Sequence, residues 1–104
     1  MAQFDVYRNV NRKTAAIIPY FVNVQADLLE ALATRVVAPL VLASEMSKPA
    51  KGLNPKFEIE GVTVIMSTAE LAGVPVRALG ERVTTLRRRR QEIMAALDLL
   101  FTGI

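Results

Sequence analysis

The densest run of charge in the sequence is Arg87-Arg88-Arg89-Arg90, and guanidinium groups are the side chains that grip phosphates and carboxylates. On a helix, consecutive residues point about 100° apart, so at most two of the four share one face. The run reads either as a solvated helix face or as a patch for nucleic acid or an acidic partner, and it lacks the interleaved aromatics of a base-stacking platform. Glu58 and Glu60 lie two apart on one predicted strand face, where a solvated hairpin explains them as well as catalysis would. Histidine and cysteine are absent, which removes the commonest general base, the thiolate nucleophile and the usual zinc ligands. No glycine-rich phosphate loop is present. The expectation is therefore no catalytic residue, no metal and no cofactor: a protein that binds other proteins and is not an enzyme.

Two apolar features suit binding. Leu100-Phe101-Thr102-Gly103-Ile104 is greasy where the end of a sequence is usually polar and frayed. Phe101 and Ile104 either pack into the chain's own core or form a partner-facing tip. Asp27-Leu28-Leu29-Glu30 sets two leucines between acids on a short connector, where one leucine can turn inward and the other cannot easily do so.

The elements that position these residues follow from periodicity. Gln3 to Arg8 alternates as a strand, Ile17 to Gln25 is β-branched and aromatic, and Thr34 to Ala43 is a nearly continuous apolar strand in which Pro39 predicts a bulge or bend. Ala26 to Ala33 reads as a connection with one helical turn, and Ser44 to Pro55 as a loop. Residues 57–66 read as a hairpin turning at Glu60-Gly61, with Ser67 or Thr68 capping a short turn and residues 73–76 forming a short edge strand. Val83, Leu86, Arg90, Ile93, Met94, Leu97, Leu100 and Phe101 predict one long helix from Glu81 to Phe101, stopped by Gly103. The expected architecture is mainly β, a five-stranded antiparallel sheet or small barrel with one long C-terminal helix, in a single domain spanning 1–104. One helix cannot cover both faces of such a sheet, and 52 % hydrophobic residues in 104 is high, so a homodimer is expected to hide the remainder. The net charge of +3 is modest. No apolar run has membrane-spanning length and no signal segment is visible, so the expected location is cytoplasmic, away from membranes.

Several segments resemble the CcdB family of plasmid-addiction toxins. Gln3-Phe4-Asp5-Val6-Tyr7 resembles its Gln-Phe-x-Val-Tyr opening. Phe21 to Leu29 is similar to its Phe-Val-Asp-Val-Gln-Ser-Asp-Ile-Ile stretch, and Arg35 to Leu40 to its Arg-x-Val-x-Pro-Leu strand. Val74-Pro75-Val76 matches a Val-Pro-Val segment, and Leu100 to Ile104 resembles a Met-Phe-Trp-Gly-Ile terminus. The order and spacing of these segments cover nearly the whole chain.

The resemblance implies an SH3-like barrel shared with the Kid and MazF toxins, and a homodimer. It implies a type II toxin-antitoxin toxin that binds the gyrase A protein of DNA gyrase and traps that topoisomerase on cleaved DNA. A CcdA-like antitoxin would neutralise it, and the pair would repress its own operon, touching DNA only through the antitoxin. Carried over by position, the gyrase-binding residues are Asp98, Phe101, Thr102, Gly103 and Ile104. Leu28, Leu29 and Glu30 fall in the antitoxin or second partner-contact region. Two positions depart from the family: Thr102 stands where it has Trp, and Asp98 where it has Asn. Thr102 offers no flat aromatic surface for a gyrase arginine. The alternatives are a MazF/Kid-like endoribonuclease, motivated by the shared barrel and the arginine run, and a homologue that only binds its antitoxin.

Overall fold

A computed structural model of the protein describes residues 1–103. Ile104, named above as part of the greasy tip, lies outside the described residues. Seven strands form one antiparallel sheet: β1 (Asp5–Asn9), β2 (Tyr20–Asn23), β3 (Thr34–Leu42), β4 (Lys56–Ile59), β5 (Val62–Met66), β6 (Ala72–Pro75) and β7 (Leu79–Thr85). Their order is β4-β5-β3-β2-β1-β7, with β6 also paired to β3. The mainly-β fold with one closing helix, α1 (Arg90–Thr102), is as expected; the strand count rises from five to seven.

β3 is the central strand, and its length decides the topology. One edge pairs with β2 from Val37 to Leu40. The other edge pairs first with β6, from Thr34 to Val37, and then with β5, from Leu40 to Leu42. Pro39 falls between these two partners, so its missing N–H leaves no ladder bond unmade, and its carbonyl accepts the Ser67 N–H at 2.9 Å. The proline marks a change of partner within a continuous strand, where a bulge or bend was expected.

The helix predicted from Glu81 is corrected. Residues 79–85 are β7, which pairs with β1 across two irregularities of register. Leu86 is buried and donates its N–H to the Phe4 carbonyl at 2.8 Å; Arg87–Arg89 then make a 3-10 turn, and α1 begins only at Arg90. β-branched Val83, Thr84 and Thr85 suit a strand, and β1 would otherwise expose a whole edge of unpaired backbone groups. α1 buries Ile93, Ala96 and Leu97, at i, i+3 and i+4. Arg90 and Met94, placed on the buried stripe by the sequence, are exposed.

α1 closes the main core, where Val6, Val22, Leu40, Phe57, Ile59 and Met66 meet Ile93. A second, smaller cluster, Tyr7, Val37 and Leu79 with Phe21 and Val74 packed beside it, lies on the other side of β1 and β3. That is why β1 buries Asp5 and Tyr7 as well as Val6, and why its simple alternation fails. No helix among the described residues is long and apolar enough to cross a membrane.

Candidate functional site

The end of α1 is built to hold side chains out in water. Gly103 adopts φ 73, the left-handed conformation open to glycine, and its N–H reaches the Leu99 carbonyl at 3.0 Å, which stops the helix. Thr102 donates its hydroxyl to the Asp98 carbonyl at 2.6 Å, tying down the last turn. Phe101 is 71 % exposed, so it does not pack into the chain's own core. Asp98, Phe101, Thr102 and Gly103 are thus brought together on one exposed helix end. An exposed aromatic on a fixed backbone loses little entropy on binding, the character of an interface anchor.

The second candidate region is held equally firmly. Asp27–Leu29 form a 3-10 turn in which Leu28 is 92 % exposed and Leu29 46 %. Both leucines face water, and Glu30 is exposed beside them. Arg35, buried on β3, donates from its guanidinium to the carbonyls of Glu30 at 2.9 Å, Leu32 at 2.6 Å and Thr34 at 2.9 Å. The Gln25 amide donates to the Leu29 carbonyl and its oxygen accepts the Val36 N–H. Asp27 accepts the Gln3 N–H at 2.7 Å. The connector is a braced loop presenting leucines, on a different element from the α1 tip. Arg35 was quoted in the sequence only as part of a motif; a charge inside an apolar strand was the available signal of this role.

The arginine run is divided in use. Arg89 pairs with Glu92, donates to the Lys56 carbonyl at 3.2 Å, and lies over the Phe57 ring with its guanidinium carbon 4.7 Å from the centroid. Arg90 donates to the Arg87 carbonyl at 3.2 Å. Arg87 and Arg88 make no side-chain hydrogen bond or ion pair among the described residues, which fits a solvated turn more than a phosphate cradle.

A polar constellation missed by sequence reading lies elsewhere. Glu60 (φ 53) and Gly61 (φ 77) form the hairpin turn with both central residues left-handed, so Glu60 is not on a strand face with Glu58. The turn aims the Glu60 carboxylate at Arg8, which donates to it at 2.7 Å and to Glu81 at 2.6 Å; the Tyr20 hydroxyl donates to Glu60 at 2.6 Å. Hydrogen bonds from Arg8 and then Tyr20 hold Glu60 below the ordinary carboxylate range, and burial pushes the Tyr20 phenol upward. Glu60 therefore stays ionised at neutral pH, though lowering makes it a weaker base, and the Tyr20 phenol stays protonated with its hydrogen committed to Glu60, while Arg8 holds a guanidinium between two acids. Deeper in the sheet, burial raises Asp5, but hydrogen bonds from Arg82 and Thr85 outweigh it and leave this carboxyl lowered.

These shifts fix a pH profile. Asp5, Glu60 and Glu92 are all lowered in the folded state, so their contribution to stability is present above their ordinary values of 3.8 and 4.5 and is lost as pH falls. Tyr7 and Tyr20 are raised, so their contribution is present below their ordinary value of 10.0 and is lost above it. With no histidine, unfolding free energy is expected to be flat across neutral pH. Denaturant titrations across the range check this, and a marked step near neutrality would contradict it.

Comparison with known proteins bears on the family and the fold. The family model described as CcdB protein matches residues 3–103. A solved structure described as an endoribonuclease in complex with its cognate antitoxin, from Mycobacterial species, is similar to this chain with TM-score 0.72 and 13 % identity, covering 94 % of this chain and 91 % of that one. At that identity the likeness is one of fold. It nevertheless corrects the expectation that the chain is not an enzyme. That expectation rested on missing histidine and cysteine, yet the same fold carries an endoribonuclease in that protein, so activity has to be argued from the site residues themselves.

Proposed function

Since the chain belongs to the CcdB family of toxin-antitoxin toxins, we propose that it works in the cytoplasm as a homodimeric toxin that poisons DNA gyrase through the end of α1 and is neutralised by a CcdA-like antitoxin. The observation carrying this reading is Phe101, an aromatic held in water by a helix end that Gly103 and Thr102 fix in place. The braced Leu28 loop supplies a second apolar contact for gyrase or antitoxin. Purified protein added to gyrase, supercoiled DNA and ATP is expected to accumulate cleaved, protein-linked DNA. Uninterrupted supercoiling at high excess of protein would reject the target. Thr102→Trp is expected to raise cleaved-complex formation about tenfold or more, because an indole adds a stacking surface next to Phe101. An unchanged yield would show that position 102 does not meet the target.

A second reading, RNA cleavage, is favoured by the Arg8, Glu60, Tyr20 and Glu81 constellation. In it Glu60, oriented by the Tyr20 hydroxyl, takes the proton from the attacking 2′-hydroxyl, solvent water protonates the leaving oxygen, and Arg8 offsets charge on the phosphorane. Incubation with single-stranded RNA tests it: cleavage lost in Glu60→Gln supports the reading, and intact RNA rejects it.

A further inference from the structure

Beside the β4–β5 end of the sheet lies a cleft that includes neither the α1 tip nor the Arg8 constellation. Val64 and Met66 of β5 point into the main core, so Ile65 between them faces the other side of the sheet. Ile65 is nevertheless buried, because the segment after β3 folds back over it. The cover is incomplete and leaves an open cleft of about 390 Å³. Its apolar walls are Ala43, Met46, Pro49, Ala50 and Ile65, and Lys51 and Lys56 border it. That size lies toward the lower end of the roughly 300–1,000 Å³ typical of small-molecule pockets.

The walls are fixed before any ligand arrives. The Asn54 amide donates to the Met66 carbonyl at 3.0 Å, and its oxygen accepts the Ala50 N–H at 2.9 Å. The N–H groups of Leu53 and Asn54 both return to the Ala50 carbonyl, at 3.1 and 3.0 Å. The Thr68 hydroxyl donates to the Leu53 carbonyl. Lys51 and Lys56, in contrast, make no side-chain ion pair among the described residues. No carboxylate lines the cleft, so a cationic ligand would find no counter-charge there. No aromatic lines it, so a nucleobase would find no stacking surface. The neighbouring cleft beside Arg89 differs, since Glu58 lines it together with the cations.

We propose that the cleft beneath Lys51 and Lys56 binds a small aliphatic carboxylate. Its chain lies on Ile65 and Met46, and its head meets the two lysine ammonium groups. Burial of the chain supplies affinity, and the charged head fixes orientation. Both lysines are exposed, so salt weakens the charged half of the interaction. An acidic side chain of a protein partner shares this chemistry, but the small volume favours a free molecule.

Octanoate titrated into the isotope-labelled full chain is expected to saturate, with a dissociation constant on the order of 1 mM or tighter. Its chemical-shift changes should centre on residues 43–56 and 65. Acetate and octylammonium each keep one half of the ligand and are expected to bind at least about tenfold more weakly. Lys51→Gln/Lys56→Gln should weaken octanoate about tenfold and strengthen octylammonium, a reversal that a misfolded variant would not show. Ala43→Leu fills the apolar wall and should weaken octanoate without changing its salt dependence. Octylammonium binding as tightly as octanoate, shifts centred outside the cleft, or an absence of saturation would each overturn the proposal. So would binding of acetyl-leucyl-glutamate amide where octanoate does not bind, which assigns the cleft to a protein partner.

Discussion

Phe57→Ala is expected to lower the unfolding free energy by about 4 kcal/mol, within the range of roughly 3–5 for a buried phenylalanine. Phe57 is 2 % exposed and lies on β4, the last strand of the sheet order, which has only β5 as a ladder partner. Its ring belongs to the core that Ile93, Ala96 and Leu97 of α1 close. Removing it therefore loosens the edge strand and the helix together. The outer side of the ring carries Arg89, so the substitution also strips the stacked guanidinium of its platform. That second effect is small, about 0.5–1 kcal/mol at an exposed site. Arg89→Ala separates the two, since it removes the cation and leaves the ring, and is expected to cost no more than about 1 kcal/mol. Urea titrations of both variants give the comparison. A loss below about 1.5 kcal/mol for Phe57→Ala would mean that the core repacks around the gap.

The elements of this fold legible in the sequence were those whose signals are local. The Glu60-Gly61 turn, the Gly103 stop and the 3-10 turn at Asp27 each depend on a few adjacent residues, and each is found where expected. β7 was not legible, because Val83 and Leu86 fit helical spacing as well as they fit a strand. What decides between them is β1, which lies more than seventy residues away in sequence and needs a partner for its second edge. Pro39 was legible as an exception but not in its meaning, since a proline between two partners looks in sequence like a proline at a bend.

The candidate site divides along the same line. Leu28 and Phe101 could be singled out because apolar side chains between acids or near the end of a sequence stand out from composition alone. The bonds that make them useful could not. Arg35 reaches carbonyls whose acceptance leaves no trace in residue type. The meeting of Arg8, Tyr20, Glu60 and Glu81 joins four elements across the sheet, and no spacing rule connects them. Both cases are tertiary: hydrogen bonds between distant segments are set by register, which the hydrophobic pattern specifies only once all the strands are correctly assigned.

Phe101→Ala is expected to do the opposite of Phe57→Ala. The ring is 71 % exposed, so little apolar area leaves the folded interior, and unfolding free energy should stay within about 0.5 kcal/mol of the parent. Binding, in contrast, should fall at least thirtyfold, about 2 kcal/mol or more, the loss characteristic of an anchoring aromatic. The size of the effect follows from what is already fixed. Gly103 and the Thr102 hydroxyl hold the last turn before any partner arrives, so the ring spends little ordering entropy on contact and most of its burial appears as affinity. Gly103→Ala probes that claim from the backbone side: a β-carbon at φ 73 strains the stop, and binding should weaken even though Phe101 is untouched. Titrating the gyrase A protein with each variant and comparing dissociation constants, alongside urea titrations, checks both. On the proposed gyrase reading, a Phe101→Ala protein equal to its parent in the cleavage assay would remove the α1 tip from the partner surface and leave the Leu28 loop as the remaining anchor.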